Sequence, residues 1–134
     1  YGVFMKKILA ILMCSLSFQI QALEYEQQFE NDQICIGKVT IAPHEEIGLH
    51  RDTHPQVVIA LKGGTITRLE ADGRTTDVKF PTGKAVVREP DPENEQHRSV
   101  NNSSESVELI IIQLKNRQNS MKNISCPKKT TNKS

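Results

Sequence analysis

Between Ile34 and Leu114 the chain is a succession of short β-branched runs, each closed by turn residues. ICIGKVTIA (34–42), QVVIALK (56–62), TITRLE (65–70), TTDVKF (75–80), KAVVRE (84–89), HRSVN (97–101) and SVELIIIQL (106–114) follow at a spacing of roughly ten residues. Asp72–Gly73 is a hairpin signal, because a tight two-residue turn needs left-handed backbone that these residue types tolerate. Pro81-Thr-Gly83 and the NNSSE cluster (101–105) read as further turns. Apolar residues do not recur at the helical period anywhere in this body. The expectation is an all-β domain of seven or eight strands, a small sandwich or antiparallel β-barrel. Residues 23–33 (LEYEQQFENDQ) read as a polar lead-in, and Gly63–Gly64 as a turn between strands.

The ends set the domain limits. MKKILAILMCSLSFQIQA (5–22) runs from two lysines through an apolar stretch to small and polar residues, the order of a secretory signal peptide. Its apolar part is too short to span a bilayer, so no stable membrane anchor is expected. Met5 reads as the start and Ala22 as the last leader residue, which sends the mature protein to a periplasmic or secreted destination. Met13 stands where a lipid-attachment signal at Cys14 would need a small residue. Residues 1–22 are thus read as leader, 23–115 as the β-barrel domain, and 116–134 as a basic, polar tail expected to lack fixed structure.

The chain has 17 basic and 16 acidic residues, but two lysines lie in 1–22 and six basic residues lie from Lys115 onward. Residues 23–114 keep 9 basic against all 16 acidic side chains, a net charge of −7. An acidic body argues against nucleic acid as a partner. Without the leader, two of the three cysteines remain, Cys35 and Cys126. In an oxidising compartment an even pair suggests one disulfide.

GLHRDTHPQVVIALKGG (48–64) carries the chemistry. It puts His50, Asp52, His54 and Gln56 at every second position, and in a continuous strand all four would share a face. Two imidazoles, a carboxylate and an amide gathered together suit a metal; they also suit a polar strand end meeting water. HRDTHPQVVIALKG resembles the first motif of the cupin family, G-x5-H-x-H-x3-4-E-x6-G. His50 and Gly63 match it, while His44, Asp52 and Gln56 stand at its leading glycine, second histidine and glutamate. The second motif, G-x5-P-x-G-x2-H-x3-N, is met by Gly83, Pro92, His97 and Asn101. Asn94 takes the place of its inner glycine, a swap that suits left-handed backbone. The stretch from Gly83 to Pro92 is three residues longer than that pattern.

The resemblance covers residues 34–114. It implies a small double-stranded β-helix (jelly-roll) barrel, one divalent transition metal (iron, manganese, nickel, copper or zinc) and a small-molecule ligand or substrate. Two first shells stay open: His50, Asp52, Gln56 and His97, or His50, His54 and His97 completed by Asp52 or Gln56. Asp52 could equally orient a histidine rather than bind metal. Metal-dependent dioxygenation or isomerisation is one implied function; a non-catalytic binding barrel with a degenerate or absent metal site is the other. A homodimer through strand edges is a further implication. The acidic run EPDPENE (89–95) reads as a solvated loop.

Overall fold

The computed structural model describes residues 23–115. Nine strands fill them: β1 Glu24–Glu30, β2 Ile34–Ile41, β3 Glu46–His50, β4 Gln56–Lys62, β5 Gly64–Glu70, β6 Thr75–Phe80, β7 Ala85–Arg88, β8 His97–Val100 and β9 Val107–Leu114. They form two antiparallel sheets, β1-β2-β9-β4-β7 and β3-β8-β5-β6. The described residues contain no helix, and so none long and apolar enough to cross a membrane.

Strand alternation builds the core. Val39 and Ile41 of β2, Val58 and Ala60 of β4, and Val107 and Leu109 of β9 are buried from one sheet. Ile66 and Phe80 meet them from the other. Two strands depart from the sequence reading. β1 occupies the polar lead-in, and all seven of its residues are exposed. It is an edge strand paired to β2 with no layer over either face, so no apolar alternation marks it. β3 and β4 divide what the sequence suggests as one run: residues 51–55 leave the strand, with Pro55 unable to donate to a ladder.

Glycine at 63 and 64 answers to close approach. A Cβ on Gly63 would lie 2.2 Å from the Phe80 carbonyl oxygen, and one on Gly64 would lie 2.6 Å from Val107 Cγ2. The chain crosses here from one sheet to the other, so the pair forms a corner between layers, not a hairpin turn. The Asp72–Gly73 hairpin is present, with Gly73 at φ 89° and its N–H donating to the Glu70 carbonyl at 3.0 Å. Asn94 does not adopt left-handed backbone; among non-glycine described residues only His44 does, at φ 60°. Cys35 sits half-buried on β2, its sulfur 3.9 Å from the Tyr25 hydroxyl. Cys126 and the segments read as leader and tail, 1–22 and 116–134, lie outside the described residues.

Candidate metal centre

The pairing of β3 with β8 brings the two motifs together. His50 and His97 are direct partners across that ladder, and their ring centroids are 4.3 Å apart. Just past His50 the chain is clamped to the loop that precedes β8. The Asp52 N–H donates to Asp91 Oδ2 at 2.9 Å, and the Asp91 N–H donates to the Asp52 carbonyl at 2.8 Å. This places the Asp52 carboxylate between the imidazoles, Oδ1 3.9 Å from His50 Nε2 and Oδ2 3.7 Å from His97 Nε2. The three side chains offer ligand atoms all within 4.8 Å of one another, too far apart to be bonded directly.

The outer partners decide which atoms point inward. His50 Nδ1 is 2.6 Å from the Gly48 carbonyl, which can only accept, so Nδ1 carries the proton and Nε2 presents its lone pair. His97 Nδ1 is 3.1 Å from Asp91 Oδ2, close but off the line of a hydrogen bond. That contact favours the same tautomer, since a carboxylate beside Nδ1 stabilises a proton there. Asp91 is itself held by Arg68, whose Nη2 lies 2.8 Å from Asp91 Oδ1 while its Nε pairs with Glu70. Burial pushes the Asp91 carboxyl up, but the Asp52 N–H and the Arg68 guanidinium outweigh it and hold it below the usual carboxylate range.

Burial, reinforced by the charge of Arg68 and by His50, pushes His97 below the ordinary imidazole value, against the opposing pull of Asp91 and Asp52. At neutral pH its ring is therefore neutral, the form that ligates. Two imidazoles and one carboxylate with open positions fit a divalent transition metal, and this N,N,O set suits iron, manganese, nickel, copper or zinc.

The four-residue face expected from period-two spacing is only partly assembled. His50 and Asp52 converge with His97, and Gln56 lines the same cavity from β4. His54 turns elsewhere: its Nδ1 is 2.8 Å from Thr53 Oγ1 and 3.1 Å from Gln113 Nε2. Alternation does not reach it, because the chain is out of the strand from Arg51 to Pro55. The acidic run is no simple solvated loop either, since Asp91 is only 8% exposed. Asp91 and Arg68 are site residues that the sequence reading passes over. Arg68 was signalled by its place two residues after Ile66, which puts both on the inward face of β5.

The triad lines a cavity of about 170 Å³, walled mainly by apolar side chains such as Val39, Val58, Ile66, Phe80, Leu109 and Ile111. Its polar lining comes from the triad, Gln56, Ser99, Arg68 and Arg88.

No family model matches the sequence. No curated protein matches it either. Solved structures do. A cupin domain from Bordetella pertussis Tohama I is 21% identical, with a TM-score of 0.61 over 71% of this chain and 95% of the other. A double-stranded β-helix protein from Klebsiella pneumoniae is 17% identical, with a TM-score of 0.53 over 71% of this chain and 78% of that one. The polyketide cyclase RemF from Streptomyces resistomycificus is 16% identical, with a TM-score of 0.53 over 73% of this chain and 68% of its own. The described domain has the cupin fold, a double-stranded β-helix.

Two expected results arise here. Asp91→Asn should weaken metal binding by about 10- to 100-fold, as loss of a carboxylate behind a ligating histidine does. Competition against a chromophoric chelator reads this directly, and unchanged affinity would remove Asp91 from the site. The second concerns acid. The unfolded His97 has the ordinary value of 6.5 and the folded one lies lower, so the unfolded state takes the proton first as pH falls. The stability held by neutral His97 is complete above about pH 6.5 and is lost from there down to the folded-state value. Asp91, also depressed, gives up its contribution only below about pH 4. Metal-free protein should therefore have a lower urea midpoint at about pH 5.5 than at about pH 7.5. An equal or higher midpoint would contradict a buried neutral imidazole.

Proposed function

We propose that this chain is an exported, small-molecule-binding cupin with one divalent metal held by His50, Asp52 and His97. A single observation carries the metal reading: hydrogen bonding to the Gly48 carbonyl and the Asp91 contact leave both Nε2 lone pairs facing the Asp52 carboxylate. The mostly apolar cavity beside the triad supports a small ligand with an apolar body. When bound, the metal would supply Lewis-acid polarisation or an oxygen-binding position, the chemistry of isomerisation or dioxygenation on a small oxygenated substrate. The protein's part is to orient the donors, keep His97 neutral and exclude water with the apolar wall. The leader-like residues 5–22 support export.

One observation favours binding without turnover as the second reading. Asp52 is the sole carboxylate lining the cavity among the described residues, and as a ligand it is not available as a general base. Elemental analysis of full-length protein purified without a histidine tag tests the proposal. Near-stoichiometric metal, absent from His50→Ala/His97→Ala, is the expected result. A wild type that stays metal-free after reconstitution would refute it.

A further inference from the structure

Three charged side chains line the cavity: Asp52, Arg68 and Arg88. Asp52 is faced by two imidazoles, and Arg68 is matched by Glu70 and Asp91. The Arg88 side chain has neither hydrogen bond nor ion pair among the described residues, although the residue is half-buried at the end of β7. Directly opposite it in the β4–β7 ladder is Gln56, whose side chain also lines the cavity and is likewise without a hydrogen-bond partner among the described residues. Opposed residues of an antiparallel pair share a face with Cβ atoms about 5 Å apart. A guanidinium and an amide are thus set side by side on the cavity wall with their N–H groups unspent.

We propose that Arg88, assisted by Gln56, anchors the carboxylate of the ligand, so that the cavity takes a small organic carboxylate with a short apolar body. This rests on the reading of the cavity as a ligand site. The guanidinium presents paired, parallel N–H groups that match a carboxylate in bidentate fashion, and its single charge matches a single negative charge. The anchor lies near the triad: Arg88 is three residues from Asp91, which at full extension is about 10 Å of chain. The size is bounded as well. About 170 Å³ is close to the ~150 Å³ apolar cavity that accommodates a benzene ring, so the body is one ring or a short chain.

The test is calorimetric titration of the full chain, metal-free and metal-loaded, with benzoate and with its neutral isostere benzamide. Wild type should bind benzoate at least about tenfold more tightly than benzamide in both states. Arg88→Met should bring the two within about twofold, and Arg88→Lys should keep part of the preference. Both variants should take up metal with wild-type stoichiometry, which separates this result from the metal reading. If no metal binds but the carboxylate preference still follows Arg88, the anchor stands and the metal reading falls. No measurable benzoate binding, or no preference for it in wild type, overturns the anchor and leaves the metal reading intact. A preference seen only with metal and surviving Arg88→Met also overturns it, because the carboxylate would then sit on the metal.

Discussion

Asn101→Ala is expected to cost about 3 kcal/mol of stability and to lower the melting temperature by about 15 °C. No other side chain in the described domain makes so many hydrogen bonds. Asn101 is 0% exposed, and its Nδ2 donates to the carbonyls of Ile41 at 3.1 Å, Ala42 at 3.3 Å and Glu105 at 2.8 Å. Its Oδ1 accepts from the Ser103 N–H at 3.1 Å and the Ser103 hydroxyl at 2.7 Å. The backbone joins in, with Asn101 N–H donating to the Glu45 carbonyl and His44 N–H to the Asn101 carbonyl. One residue thereby ties the end of β2 in the first sheet to the β3–β8 ladder of the second. Alanine would delete all five side-chain hydrogen bonds at a fully buried position, each worth about 0.5–1.5 kcal/mol, though not additively. Thermal melts of the metal-free variant check this. A shift of only about 2 °C would show that the loop rearranges around the loss.

Arg68→Met should be comparably damaging, by about 3–5 kcal/mol. The Arg68 side chain is 11% exposed and lies between Glu70 at 16% and Asp91 at 7%. Methionine keeps the apolar stem but leaves two nearly buried carboxylates without their cation. The prediction has an internal control. Arg68→Met/Asp91→Asn should be less destabilised than the sum of its single variants, because the second change removes one of the stranded charges. Urea unfolding of the four proteins measures the coupling. Strict additivity would mean that Arg68 and Asp91 do not act as a pair in solution.

The β-branched runs made most of the strands legible, since a strand with one face on the core alternates and one buried on both faces is continuously apolar. β1 left no such mark because neither of its faces is covered. His50, His97 and Asn101 could be picked out because motif spacing survives divergence at intervening positions. The face assignment at His54 failed for a local reason: period two holds only while the backbone is extended, and the chain leaves the strand after His50. Asp91 was concealed by its neighbours. In EPDPENE nothing separates the one carboxylate that turns inward from those that stay solvated, because its partner Arg68 lies 23 positions away in sequence. The flanking prolines, Pro90 and Pro92, were the available hint that the loop holds a fixed path. Arg88 belongs to the same class of residue: its meaning comes from the register with Gln56 and from the cavity wall.

In the proposed metal site His50, Asp52 and His97, and not His54, are the ligands. Titration of metal-free protein with cobalt(II), followed by the visible ligand-field bands, measures it most directly. Wild type and His54→Ala should both saturate at one equivalent with the same spectrum, while His50→Ala, Asp52→Ala and His97→Ala each lose stoichiometric binding. A His54→Ala protein that loses cobalt, or an Asp52→Ala protein that keeps the wild-type spectrum, would contradict the account.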